Sequence, residues 1–255
     1  MLPCHVTPAI VLRTRAFGES DKIVSFLTES HGKLTGIAKG AKRSRKRFVN
    51  SLEPFSLVNL RFNDRTQGNL VFIIASDLAF GFKHLLTSLE KISFASYLVE
   101  ITDGLIGERE ENRLVFRHLK DGLTHLEEQS TSLTFLTSFE LKLLKLAGYQ
   151  PWLESCRRCG RERRDRWASR WHFSPLDGGI LCESCSRMRK EIFSLSAATL
   201  EILTSLQEER RSPDISPSTG VLKEIRSVVV RFIEFHMERE IKSAAFLHQF
   251  SFGLK

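Results

Sequence analysis

Four of the chain's five cysteines fall into two Cys-x-x-Cys pairs, Cys156-Arg-Arg-Cys159 and Cys182-Glu-Ser-Cys185, separated by the stretch from Gly160 to Leu181. Two such knuckles set four thiolates at the corners of a tetrahedron, the geometry and donor softness that zinc prefers. Four thiolates leave no open coordination position, so one zinc ion held by Cys156, Cys159, Cys182 and Cys185 is expected to be structural. A thioredoxin-like redox pair normally uses one such motif within a βαβ unit, and no βαβ pattern surrounds these. Two disulfides, or His172 in place of one cysteine, are the weaker alternatives. Cys4 is a leftover thiol and reads as a bystander.

Charge supplies the second chemical signal. Lys and Arg outnumber Asp and Glu by 38 to 30, a net charge of +8. Two short segments hold more than all of it. Lys39 to Arg47 carries six basic residues and no acid, and Cys156 to Arg170 carries seven arginines against Glu162 and Asp165. These segments are +6 and +5, so the rest of the chain is net −3. Six uncompensated cations within so short a run repel one another. Such a patch makes a local field that attracts polyanions. Lys39, Lys42, Arg43, Arg45, Lys46 and Arg47 are therefore candidate nucleic-acid contacts, with Arg13, Arg15, Arg61 and Arg65 as an extension. The competing reading is a basic loop kept for solubility. In the second segment, Arg157, Arg158, Arg161, Arg163, Arg164, Arg166 and Arg170 interleave with Trp167, Trp171 and Phe173. Arginine with aromatic planes is a composition that holds phosphates and stacks bases. Packing within a small ribbon core is the preferred reading for Trp167 and Trp171.

Motifs that would make a catalyst do not occur in this sequence. It contains no Walker-type loop, G-x-G-x-x-G, H-E-x-x-H or G-x-S-x-G. The clusters Glu108, Glu110, Glu111 and Glu127, Glu128 read as solvated helix ends rather than a two-metal nuclease site. The chain reads as a binder, not an enzyme.

The elements that must position these groups follow from patterning. Ala9–Arg15, Lys22–Thr28, Leu34–Lys39, Phe55–Phe62 and Leu70–Leu78 are short, β-branched or aromatic runs separated by turn signals. Five strands at this spacing predict a small barrel or sandwich. The best single candidate is a barrel of the oligonucleotide-binding (OB) kind, whose loops commonly hold nucleic acid, though strand count alone does not separate it from an SH3-like barrel. From about Lys83 the pattern turns helical. Leu89, Ile92, Ser96 and Val99 mark one helix, and Leu114, Phe116, Leu119 and Leu123 mark a second. Leu133 to Leu146 forms a third, ended by Gly148 at C′. Leu200, Leu203 and Leu206 mark a short helix. Val221 to His236 carries a broad apolar stripe. The linker from Arg211 to Gly220 separates these last two.

With 255 residues, 42% of them hydrophobic and 27% charged, the chain can bury a core without disulfide staples. Its longest apolar run, Leu70 to Ala75, falls far short of the roughly 20 residues of a membrane span. No secretory signal is expected, which points to a reducing cytoplasm. The fold class expected is α+β and multidomain. Its parts are a five-stranded OB-fold barrel at 1–80, a helical domain at 81–151 and 191–255, and a Cys4 zinc module inserted at 152–190.

Gly32-Lys33-Leu34, Ala38-Lys39-Gly40-Ala41-Lys42-Arg43 and Leu52-Glu53-Pro54-Phe55 resemble the amino-terminal domain of the RecO family of bacterial recombination mediators. The opening stretch, Ala9-Ile10-Val11-Leu12 to Glu19-Ser20-Asp21-Lys22, resembles the same domain. Leu146-Ala147-Gly148-Tyr149-Gln150-Pro151 is similar to that family's approach to its zinc module. The arginine-rich stretch and Trp171-His172-Phe173-Ser174 depart from the family pattern. The resemblance implies an OB barrel, a helical domain and an inserted zinc module. It also implies binding of single- and double-stranded DNA, annealing of complementary strands, and loading of recombinase onto DNA coated by single-stranded-DNA-binding protein. RecR and the single-stranded-DNA-binding protein are its implied partners, and the nucleoid its implied place. The acidic tail of the coating protein is expected on the helices between Lys83 and Gly148, with Lys142 or Lys145 as carboxylate partners. The family's basic barrel surface corresponds to the six residues between Lys39 and Arg47. The rival from another class is a zinc-ribbon RNA-binding or transcription accessory factor.

Overall fold

The computed structural model describes residues 3–64, 69–163, 170–208 and 217–251. Five strands form a closed barrel: β1 (Cys4–Phe17), β2 (Asp21–Thr28), β3 (Lys33–Ala38), β4 (Leu57–Asn63) and β5 (Val71–Phe80), in the order β1-β2-β3-β5-β4. Strand β1 is long because it serves two partners. Ala9 to Phe17 pairs with β2, while Cys4 to Ile10 pairs with β4 and closes the barrel. Of the other three seams, β2–β3 and β4–β5 are antiparallel, and β3 joins β5 in parallel through Gly36 and Ile37. This is the OB-like barrel expected, with several strands running past their predicted ends. In β1 the extension starts at Cys4, where the pairing partner rather than local propensity decides.

Alternation tells why the barrel closes. Along β4, Val58, Leu60 and Phe62 are buried while Asn59 and Arg61 are exposed. The inward set joins Ala9, Val11, Val24, Phe26, Leu34 and Ile73 in one core. A run such as Ala9–Leu12, buried on both faces, needs cover outside the barrel. Two helices supply it: α1 (Leu89–Leu105) and α2 (Arg113–Glu128) pack against β1, and α2 also packs against β2. Their capping residues Ser88 and Asn112 accept from the amides of Lys91 and Val115. A carboxyl-terminal helix, Ala244–Ser251, packs on α1. The barrel, these helices and that last segment form one compact unit, residues 1–131 with 243–255.

The second unit spans residues 132–242. It contains α3 (Leu133–Leu146), a three-stranded sheet, and the helices α4 (Glu183–Ser186), α5 (Ala197–Gln207) and α6 (Thr219–Met237). The sheet runs β7 (Gly179–Cys182), β6 (Trp171–Ser174), β8 (Phe193–Leu195). Helix α3 ends as its sequence predicts. Gly148 at φ 83° donates to Lys145, and Tyr149 donates to Leu144, the paired bonds of a Schellman motif. Leu141 and Leu144 on α3, Leu203 on α5, Val228, Val229 and Phe232 on α6 and Phe173 on β6 converge into a shared apolar core. A buried ion pair joins α3 to α6, with Arg226 Nη1 2.5 Å from Glu140 Oε2. No helix among the described residues is long and apolar enough to cross a membrane.

Candidate nucleic-acid interface and metal centre

The basic segment between β3 and β4 is built as a strap rather than a free loop. Gly40 lies at φ 69°, a left-handed conformation that a side chain would strain. Its amide donates to Asp21 Oδ1 at 2.8 Å, and the Ser20 hydroxyl donates to the same oxygen at 2.9 Å. The Gly40 amide and then the Ser20 hydroxyl hold the Asp21 carboxyl below its ordinary value, aided by Lys39 and Lys42. A single helical turn, Ala41–Arg43, follows. The Lys42 amide donates to the Ser20 carbonyl at 2.9 Å and Lys42 Nζ to the Gly18 carbonyl at 2.8 Å. Arg47 Nη2 donates to the Lys39 carbonyl at 2.8 Å. Beyond Arg47, the side chains of Phe48 and Leu52 enter the barrel core and anchor the far end. Ser51 and Ser76 exchange hydroxyl-to-carbonyl bonds at 2.6 and 3.2 Å, stitching the strap's exit to β5.

All six candidate contacts, Lys39, Lys42, Arg43, Arg45, Lys46 and Arg47, are exposed on this strap. Lys42 and Arg47 spend donors on backbone carbonyls yet keep their charge, while the ammonium and guanidinium groups of Lys39, Arg43, Arg45 and Lys46 bond to no described protein group. The expected extension is placed differently. Arg13 lies 3.4 Å from Asp103 and Arg61 lies 3.4 Å from Asp77, so both charges are offset by acids. Arg15 is exposed, and Arg65 lies outside the described residues.

In the second unit the two knuckles meet. The first is a tight loop in which the Cys156 amide donates to Arg161 and the Gly160 amide donates to Cys156. The second forms where β7 ends at Cys182 and the single turn α4 presents Cys185. The sulfurs of Cys156, Cys159, Cys182 and Cys185 all lie within 4.8 Å of one another, and none is in a disulfide. A tetrathiolate site with metal–sulfur bonds of about 2.3 Å requires sulfurs about 3.8 Å apart. Cys159 Sγ stands 3.7 Å from Cys182 Sγ, so the donor set and its spacing fit a metal ion. Burial pushes the Cys182 thiol up, but bonds from the Ser184 hydroxyl, the Cys185 amide and neighbouring thiols outweigh it and bring it to about 6. Burial and bonds to the other three sulfurs hold Cys185 up at about 12.

The arginines around the knuckles divide by role. Arg163 Nη1 donates to Thr204 Oγ1 at 2.6 Å and ties the module to α5. Arg189 holds Asp177 with two bonds of 2.6 and 2.8 Å. Arg157, Arg158, Arg161 and Arg170 are exposed. Trp171 is buried in β6, as a packing role requires, and His172 sits outside the cysteine cluster. Arg164, Arg166 and Trp167 lie outside the described residues. Lys142 and Lys145 are exposed on α3. Two features have no local sequence signal. The plug formed by Phe48 and Leu52 lies in a segment without periodicity. Trp152, an exposed aromatic beside the first knuckle, is a lone residue.

Comparison with known proteins agrees with these observations. The family model described as "Recombination protein O N terminal" matches residues 2–82, and "Recombination protein O C terminal" matches residues 86–245. The chain is 33% identical over 249 residues to the DNA repair protein RecO of Syntrophus aciditrophicus, covering 96% of this chain and 95% of that one. It is 34% identical over 241 residues to DNA repair protein RecO of Myxococcus xanthus, covering 94% and 96%. It is 35% identical over 253 residues to that of Syntrophobacter fumaroxidans, covering 95% and 96%. With both family models matched in order and relatives aligned along nearly its full length, the chain belongs to the RecO family.

Proposed function

We propose that this chain is a DNA repair protein that binds single- and double-stranded DNA on the strap and anneals complementary strands. In recombinational repair it would help load recombinase onto DNA coated by single-stranded-DNA-binding protein, with RecR as a further partner. The observation that carries this reading is the strap itself: six exposed cations, Lys39, Lys42, Arg43, Arg45, Lys46 and Arg47, fixed on a closed barrel. Annealing requires that repulsion between two phosphate backbones be screened while the pairing faces of the bases stay free. Lysine and arginine contacts to phosphate meet both conditions, because they grip the backbone and carry no sequence information. A strap already pinned at Gly40, Lys42 and Phe48 loses little conformational freedom on binding. The acidic tail of the coating protein is assigned to the helical part, where Lys142 and Lys145 on α3 offer exposed cations.

Cys156, Cys159, Cys182 and Cys185 would hold one zinc ion. That ion would supply cross-linking of the module rather than chemistry, since four thiolates leave no position for water or substrate. The test of the whole reading is annealing of complementary strands coated with the cognate single-stranded-DNA-binding protein. The chain should accelerate it without nucleotide. The variant Arg43→Ala/Arg45→Ala/Lys46→Ala should lose most of that acceleration, and full acceleration by the variant would refute the assignment.

A further inference from the structure

Trp152 is an exposed aromatic whose ring and backbone are both held by hydrogen bonds. Its indole Nε1 donates to Ser155 Oγ at 3.0 Å, which fixes the ring plane. Its backbone is locked to the edge of β7, donating to the Gly178 carbonyl and accepting from the Ile180 amide, both at 3.0 Å. Arg157 is held on the same edge by a bond from its amide to the Ile180 carbonyl at 2.9 Å, and its guanidinium lies 5.8 Å from the indole centroid. Gly179 makes the crossing possible. A Cβ there would stand 2.4 Å from the Trp152 carbonyl oxygen, 2.9 Å from Trp152 Cβ and 3.0 Å from Arg157 Cγ. Trp152 is nevertheless 41% exposed.

The surroundings are cationic. Arg157, Arg158, Arg161 and Arg170 are exposed on this module, and the acids that could cancel them are partly taken: Asp177 by Arg189 and Glu183 by Arg187. Glu154 and Glu162 remain as exposed acids on the same loop. A rigid aromatic plane with a guanidinium beside it and further arginines around it combines the two parts of a single-strand site. Bases stack on the ring whatever their identity, and the cations hold the backbone.

We infer that Trp152, with Arg157, Arg158 and Arg161, forms a second binding site for single-stranded DNA on the cysteine-bearing module. This rests on the reading of the chain as a DNA-binding protein, and it deepens that reading by giving one chain two separate surfaces for strands. The competing explanation is that these arginines only offset the negative charge of a metal-bound tetrathiolate, which would leave Trp152 idle.

The experiment uses the full chain and a labelled oligo(dT). Five proteins are compared: wild type, the strap variant Arg43→Ala/Arg45→Ala/Lys46→Ala, Trp152→Ala, and the strap variant combined with Trp152→Ala or with Trp152→Phe. In the strap-variant background, Trp152→Ala should weaken the residual binding about tenfold, as loss of one stacked base does. Trp152→Phe in the same background should retain most of it, with zinc content unchanged. An oligomer carrying bromodeoxyuridine should also photo-cross-link to the peptide containing Trp152. Residual binding unaltered by Trp152→Ala, or lost equally in the Phe variant, would overturn the inference. So would cross-links confined to barrel peptides. Failure of the strap reading shows separately, as a strap variant that binds as tightly as wild type.

Discussion

Arg47 and Lys39 stand at the two ends of the basic segment, and the Arg47 guanidinium donates to the Lys39 carbonyl at 2.8 Å. The segment is thereby closed on itself. Its cations are presented from a fixed frame, and that frame is continuous with the barrel core through Phe48. Charge density and rigidity therefore come from the same short segment.

Gly40 is the weak point of that frame. Gly40→Ala places a Cβ at φ 69°, where the cost is about 1–2 kcal/mol for a left-handed residue. The nearest atom a Cβ would meet is Arg47 Nη2 at 3.5 Å, so the effect is conformational rather than steric. The variant should melt earlier and bind oligo(dT) more weakly while keeping all six cations. Unchanged melting and affinity would show that the strap tolerates another backbone path.

The metal centre is expected to be a folding element. Cys156→Ser should abolish stoichiometric zinc and expose residues 152–190 to protease, because about 10–16 kcal/mol of apparent zinc binding in such modules is folding energy. Barrel-mediated DNA binding should persist. Metal content by plasma emission together with limited proteolysis reads both effects, and a zinc-free variant as protease-resistant as wild type would contradict the prediction.

The Glu140–Arg226 pair is buried, with side chains 0% and 8% exposed. Removing Arg226 takes the compensating charge from beside the buried Glu140, so Arg226→Met should destabilise by about 3–5 kcal/mol. The double variant Glu140→Leu/Arg226→Met should recover most of that loss. Urea unfolding of the three proteins gives the comparison, and a double variant no better than the single one would show that other partners of these side chains dominate.

Stability should also fall in mild acid. Burial, reinforced by the neighbouring His5, holds His31 below its ordinary value of 6.5, and burial lowers His125 and His236 likewise. A histidine depressed in the folded state binds its proton more readily when unfolded. Its contribution is therefore complete above pH 6.5 and is lost as pH falls through the folded value. The denaturation midpoint should drop between pH 7.5 and 5, and His31→Gln should reduce the slope. A midpoint that rises on acidification would contradict the sign.

The cysteine spacing and the charge run are legible in the sequence because both are local: four thiols and six cations announce themselves by type and interval. The strands are legible where alternation is clean, as in Val58, Leu60 and Phe62. In α1 the stripe of Leu89, Ile92, Ser96 and Val99 marks the buried face only at Val99. Leu89 is 66% exposed, while Phe94, Tyr97, Leu98 and Ile101 are buried. This helix is covered on several sides, so a single helical stripe does not outline its core. The anchoring of the strap is not legible either. Phe48 and Leu52 gain meaning only once the chain returns to β5, and Asp21 becomes an acceptor for the strap only when Gly40 arrives beside it.

The central claim is that the strap binds DNA through phosphate contacts, and the salt dependence of affinity tests it most directly. Six phosphate contacts to a single strand give a slope of log affinity against log salt of about −4, from roughly −0.7 per contact. Fluorescence anisotropy with a labelled oligo(dT), measured across salt concentrations, should return that slope for the wild-type chain. The variant Arg43→Ala/Arg45→Ala/Lys46→Ala should return a slope shallower by about 2, with affinity lowered alike for all sequences. An unchanged slope in the variant would contradict the assignment of the strap as the DNA-binding surface.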